Sequence, residues 1–391
     1  MKKTNHNEPI HPKNRAAGHE ALDVRLEGLL QEMMSQKMVH SALVAVEKMD
    51  GSFRWVATAG DAQPDGSPLL PDTPFFIASV TKLYIASTIL KLHERGQVGL
   101  DQPISTYLPQ ALIGGLHRFD GVDYTEQVTV RHLLGHSSGL PEYLEDKPKG
   151  GRTFVDRILE QDFVFTIEDI LDAVRELPPH FPPQPYDKPQ QKVRYCDTNY
   201  QLLIAIIEAL TGGSLHAAFT DLLYQPLGLG DTYHPGTRAD APEPAGLWID
   251  EQPLHIPLAM RSFGDLVSTL DDMLQFMRGL VRGEVFDDPA TLDLMLGHWN
   301  TFGVSLNPVK LSPGWPIAYG LGMMRFKIPR PFSGFRAIPA VVGHSGATGS
   351  WLFYCDDLDV LLAGSVNQLS AGAVPFRYIP KMLQAVAAAG V

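Results

Sequence analysis

The chain has 391 residues, 44% of them hydrophobic and 19% charged, and a formal net charge of −12 at neutral pH. That is enough apolar material for one large globular domain or two interlocked ones. The acidic balance, without a basic run, argues against nucleic acid or an anionic membrane surface as partner and leaves small neutral molecules.

From the N-terminus, Met1-Lys2-Lys3 resembles the start of a signal peptide, but the polar stretch that follows has no apolar core. Residues 1–19 are read as a flexible tail and the protein as cytoplasmic. A helical apolar spacing over 22–38 comes next, then two strand-like runs, 41–49 and 53–59, joined at Asp50-Gly51, a strong hairpin signal. Residues 80–95 are apolar on all sides, which marks a buried helix, and Gly96 stops it. The stretch 100–299 reads as an inserted, mainly helical domain, with helices over 200–210, 215–223 and 269–281. Residues 141–193 are rich in proline and charge, with a short helix capped by Thr166 and Asp169; the segment is either a cover over a site or a surface excursion. The last quarter returns to strands, over 319–326, 340–344, 350–355 and 360–366, and closes with a helix over 376–389. Strands at both ends are most simply joined in one antiparallel sheet, so that 20–99 and 300–391 form an α/β domain from which 100–299 hangs. The longest strongly apolar run, 202–207, is far too short to span a membrane.

Chemistry concentrates in three places. Ser79-Val80-Thr81-Lys82 opens the buried helix, and side chains three apart on a helix share a face. An amine held there can take the serine proton, and the first helical turn offers N–H groups to an oxyanion. A lysine among Phe75, Phe76, Ile77, Leu83 and Ile85 needs such a reason to be buried. The second place is Tyr195-Cys196-Asp197, just before an apolar helix, and the third is Gly343-His344-Ser345-Gly346-Ala347, at the end of a strand.

Ser-x-x-Lys, then Tyr-x-Asp, then His-x-Gly, in that order and at those spacings, resembles the serine β-lactamase and penicillin-binding protein superfamily. Within it the chain is most similar to class C β-lactamases, DD-peptidases and family VIII carboxylesterases. Supporting stretches are Val128 to Leu140, Gln225-Pro-Leu-Gly-Leu229, Leu266-Val-Ser-Thr269 and Tyr319-Gly-Leu-Gly322, and the likeness covers residues 20–388. It implies an α+β fold, an antiparallel sheet flanked by helices plus the inserted helical domain. It also implies Ser79 as nucleophile, Lys82 as its proton partner, Tyr195 as general base and later acid, and His344 as a group bonding the Tyr195 oxygen or positioning substrate. The backbone N–H groups of Ser79 and Ala347 would form the oxyanion hole, with Asp197, Gly346 and Ala347 against the substrate. Lys82 is expected to lower the Tyr195 pKa.

One departure counts. Asp197 stands where the β-lactamases and DD-peptidases of this group have Asn, and a carboxylate accepts where an amide donates. It is expected to pair with Lys82 and to disfavour acylamino recognition, which points to a small carboxylic ester. A β-lactamase or D-amino-acid/DD-peptidase-type amide hydrolase is the alternative, and an inactive binding protein of the same fold is a second. A rival elbow motif, Gly135-His136-Ser137-Ser138-Gly139, lacks the strand–serine–helix setting it needs, and His132 and His136 read as packing or capping groups. Cys196 and Cys355 are too far apart in sequence for a disulfide scaffold, and the histidines lack ligand spacing, so neither a metal nor another cofactor is expected. Trp315, Trp351 and Phe353 are read as core or pocket wall, and the oligomeric state is left open.

Overall fold

A computed structural model describes residues 17–302, 317–327 and 338–390; most of the tail read as flexible, and Trp315, lie outside the described residues. Helix α1 (Ala17–Met34) ends four residues before the expected boundary. The side chains of Ser35 and Gln36 both bond the Glu32 carbonyl, at 2.7 and 3.4 Å, and so take the acceptor that a further turn would use. Strands β1 (Ser41–Lys48) and β2 (Arg54–Gly60) form the expected hairpin. Helix α2 (Thr81–Glu94) is buried on every side from Thr81 to Leu92, and Gly96, at φ +72°, ends it.

Between α2 and the C-terminal strands lie, in order, α3 (Val130–Leu134), α4 (Phe154–Glu160), α5 (Ile167–Arg175), α6 (Asp197–Thr211), α7 (Leu215–Phe219) and α8 (Leu270–Val281). Thr166 and Asp169 make the capping box expected of them at the start of α5. Helix α7 runs on through a π-turn over Thr220–Tyr224 to Leu227, four residues past the apolar run that signalled it, and is capped by Gly228. No single helix among the described residues is long and apolar enough to cross a membrane.

The C-terminal strands are β3 (Asn300–Thr301), β4 (Ile317–Tyr319), β5 (Met324–Phe326), β6 (Val341–Ser345), β7 (Trp351–Cys355) and β8 (Val360–Ser365), followed by helix α9 (Val374–Ala389). All eight strands join one sheet in the order β2-β1-β8-β7-β6-β5-β4-β3, with every described pairing antiparallel. Alternation along β1 separates two cores. Ala42, Val44 and Val46 pack with Leu26 and Leu30 of α1 and Ile379 and Leu383 of α9. Leu43 and Ala45 belong instead to the core that holds α2, α6 and α8. Trp351 and Phe353 are fully buried in the first core, which makes them core and not pocket wall.

The run 319–326, expected as one strand, is two. The chain reverses between β4 and β5 at Gly320–Met323, where Gly322 stands at φ +87° with its N–H on the Leu134 carbonyl at 3.2 Å. A Cβ on Gly322 would lie 2.0 Å from the Ala86 Cβ of α2. Gly322→Ala should therefore destabilise the fold by about 2–5 kcal/mol, through left-handed strain and overpacking. The shift of the urea unfolding midpoint measures it; an unchanged midpoint would mean that the turn and α2 are not in contact.

Candidate active site

Ser79 sits in a 3₁₀ turn (Ala78–Val80) that runs straight into α2. Ala78 before it is held at φ +46°, a region L-residues enter only under constraint. The constraint is visible. Ile77 N–H bonds the Leu266 carbonyl at 3.0 Å, and the hydroxyls of Thr348 and Ser350 bond the Phe76 and Ile77 carbonyls at 2.8 and 2.7 Å. One turn into the helix, Lys82 is only 4% exposed; its Nζ donates to Ser79 Oγ at 3.1 Å and to the carboxylate of Asp197. Asp197 is the first residue of α6, and its N–H donates to Glu142, whose other oxygen accepts from Leu144 N–H at 2.9 Å. Tyr195, half-buried two residues earlier, presents its ring 5.1 Å from Lys82 Nζ.

The far end of β6 comes to the same place. A Cβ on Gly346 would stand 2.3 Å from Ser350 Oγ and 2.6 Å from the Ile77 carbonyl, so glycine lets this strand end lie flush against the Ser79 turn. Gly346 therefore spaces the site, and it is not among the residues that form the cavity wall. Ala347 is exposed and lines a cavity of about 150 Å³ together with Ser79, Lys82, Asp197 and Asp265. The Ser79 N–H, at a helix start, is one of the donors that have no intrahelical partner.

His344 is elsewhere than expected. It is fully buried behind the cavity, donates from Nδ1 to the Ser345 carbonyl at 2.7 Å, and accepts at Nε2 from Tyr319 Oη at 3.0 Å. Its bond goes to Tyr319 and not to Tyr195, whose ring centre is 6.1 Å away. Burial, helped by Lys82, pushes its pKa down to about 3, so the imidazole is neutral. His136 is likewise buried and neutral: its Nδ1 accepts from Cys196 N–H and the Asn199 amide, each at 3.2 Å, and its ring packs 4.5 Å from Tyr195. His132 closes a capping box with Thr129.

Three carboxyl groups surround the one lysine. Burial works against the Lys82 charge, but Asp197 outweighs it with help from Tyr195 and Asp265, and holds the ammonium well above its ordinary pKa. Burial raises Tyr195 too, and Asp197 adds to that, while Lys82 and the hydrogen bond to Ser79 pull the other way without prevailing. The expected lowering of the phenol is thus reversed, because burial, with help from Asp197, outweighs the cation that should have caused it. Burial also raises Glu142, with Asp197 adding to the effect. Asp265, which directly precedes the Leu266-Val-Ser-Thr269 stretch, is pushed up to about 6 by burial.

The cavity walls are apolar, formed by residues such as Ile158, Ile204, Met260 and Phe263. Tyr143, Leu144, Val155 and Leu159 supply one wall, so the proline-rich excursion does cover the site. Ser137 of the rival motif is 1% exposed and follows helix α3 with no strand before it, which removes the elbow reading. Asp265, Glu142 and His136 went unread as site residues; only their nearness to quoted motifs could have flagged them. Cys196 and Cys355 are buried free thiols. Among the described residues, no group of three His, Cys, Asp or Glu side chains is placed to hold a metal ion.

A family model described as beta-lactamase matches residues 26–386. Esterase EstB of Burkholderia gladioli is 30% identical over 221 residues, 54% of this chain and 51% of that protein. A D-stereospecific amidohydrolase from Streptomyces sp. superposes with a TM-score of 0.67 at 26% identity, covering 94% of this chain and 98% of that one. EstCE1, described as a hydrolase with promiscuous acyltransferase activity, superposes with a TM-score of 0.72 at 22% identity over 95% of this chain and all (100%) of that one, a likeness of fold. The chain spans about half the length of the curated relatives it matches.

Asp197 raises the pKa of both Lys82 and Tyr195, so the deprotonated form of the pair is scarce at neutral pH and grows as pH rises. Asp197→Asn should move this titration about 1–3 pH units lower. The rate at which a fluorophosphonate labels Ser79, followed from pH 6 to 10, measures it. A profile unmoved by the substitution would show that Asp197 does not set the proton affinity of the pair.

Proposed function

Because the chain belongs to the beta-lactamase family, we propose that it is a serine hydrolase that works through an acyl-Ser79 intermediate, and that its substrates are carboxylic esters with a short acyl group. The observation that carries this reading is the Lys82 Nζ–Ser79 Oγ bond of 3.1 Å at the head of a buried helix that opens on an apolar cavity. A cavity of about 150 Å³ has room for a group the size of benzene, which suits a short aliphatic or small aromatic acyl chain.

Ser79 Oγ bonds to the carbonyl carbon as its proton passes to the Lys82–Tyr195 pair. Collapse of the tetrahedral intermediate breaks the bond to the alcohol oxygen, which takes that proton. Water then repeats the sequence on the acyl-serine and releases the acid. The N–H groups of Ser79 and Ala347 hold the oxyanion, a contribution of about 3–4 kcal/mol per donor in comparable sites. Since both members of the pair hold protons in the resting enzyme, the base acts from a minor population, which favours substrates with good leaving groups. Esters have them; unstrained amides do not.

Asp197 supports ester over β-lactam. Its carboxylate is taken up by Lys82, so the position offers no amide donor to an acylamino carbonyl. Hydrolysis of p-nitrophenyl butyrate beside a chromogenic cephalosporin tests this. Wild type should turn over the ester, with little cephalosporin turnover. Ser79→Ala should abolish ester turnover, Ser137→Ala should keep most of it, and Tyr195→Phe should lose about 10²–10⁴-fold in kcat. Strong cephalosporin turnover would move the assignment to a β-lactamase. Wild type that neither hydrolyses the ester nor takes up an acylating probe would favour the inactive binding protein.

A further inference from the structure

The cavity is defined as a substrate site by Ser79 and its apolar walls, independently of its acids, yet its charge does not balance. Among the described residues that line it, Lys82 is the only cation, and Asp197 already neutralises it through the ion pair. Glu142 is committed as well, because both of its oxygens accept backbone N–H groups, from Asp197 and Leu144. His136 and His344, the nearest imidazoles, are neutral. Asp265 is left over. Its carboxyl faces the cavity within Coulombic reach of Lys82 and Asp197, and no hydrogen bond from any described residue reaches it.

An isolated carboxylate in an apolar cavity is unfavourable unless something compensates it. Asp265 answers partly by holding its proton up to a pH of about 6, as burial and Asp197 push up its pKa and Lys82 holds it down. Above that pH the described lining of the cavity carries one negative charge more than Lys82 can neutralise. A ligand cation placed there gains a desolvated charge-assisted hydrogen bond, whereas a neutral ligand leaves the excess uncompensated. The reach is short. Lys82 lies both 3.1 Å from Ser79 Oγ and within the field of Asp265, so the cation belongs close to the carbonyl under attack, on the acyl side.

We infer that Asp265 is a specificity residue that binds a primary ammonium group next to the scissile carbonyl, and that the preferred substrates are esters of apolar amino acids with a free amino group. Ile204, Met260 and Phe263 then receive the apolar side chain. This rests on the serine-hydrolase reading above.

The test compares methyl esters of D- and L-leucine with methyl 4-methylpentanoate, which lacks only the ammonium, at pH 7, by titrating the acid released. Each kcat/KM is divided by the uncatalysed rate of the same ester, because the ammonium also activates the carbonyl. The better leucine enantiomer should exceed the neutral ester by at least tenfold in wild type, and the ratio should fall towards one in Asp265→Asn, whatever the absolute rates. A second measurement does not depend on how the variant folds: 3-methylbutylamine should inhibit neutral-ester hydrolysis by wild type competitively, and 3-methylbutanol at the same concentration should not. A ratio near one in wild type, a ratio that survives in Asp265→Asn, or equal inhibition by amine and alcohol overturns the inference while the hydrolase reading stands. If neither ester shows turnover that disappears in Ser79→Ala, both fall.

Discussion

A lysine ammonium taken out of water costs several kcal/mol unless a counter-charge meets it with good geometry. Lys82 has to be buried, because it must touch Ser79 from within a helix that is apolar on every side. Asp197 meets that demand from the first turn of α6, where the helix dipole also favours a carboxylate. The pair thereby fixes how α6 docks on α2, and with it the position of Tyr195 two residues upstream. Glu142 fastens the arrangement by taking the Asp197 N–H, which ties the covering segment to the same point. Charge compensation, helix packing and placement of the phenol are one constraint.

The sheet answers that constraint from the other side. Gly346 lets the end of β6 lie against the Ser79 turn, and Gly322 lets the β4–β5 turn lie against α2. Each is a close backbone approach that any side chain would prevent. Behind them, His344 and Tyr319 bond one another, and His136 supports the Tyr195 ring. Burial keeps both imidazoles neutral, so the polar layer under the cavity adds structure without adding positive charge.

The sequence was readable wherever the signal was local. The 41–60 hairpin turned on Asp50-Gly51, the α5 cap on Thr166 and Asp169, and the end of α2 on Gly96, each a neighbour effect. The Lys82–Asp197 pair was readable too, since opposite charges at two positions of one motif set find each other if the fold brings the motifs together. Effects that depend on three bodies were not readable. The sign of the Tyr195 shift depends on burial and Asp197 together outweighing Lys82, and the partner of His344 depends on where a two-strand turn places Tyr319. The 319–326 run hid its turn because Gly320 and Gly322 stood among residues that suit a strand. Asp265 carried no signal of its own; its meaning comes from the surplus of acid over base in a cavity that exists only in the folded chain.

That surplus gives the exchange of amide for carboxylate at position 197 a second consequence. With an amide there, Lys82 would lack its closest counter-charge, and Asp265 would be the carboxylate left to balance it. With Asp197 present, Lys82 is satisfied and Asp265 is released from that task. A neutral donor that would read a carbonyl has been replaced by a carboxylate that quiets the lysine, and the recognition lost at 197 reappears as an unmet negative charge at 265. The two acids are therefore coupled in function through Lys82. Selectivity in such a site follows from the net charge of its cavity, and changing either acid alone changes what the other is able to bind.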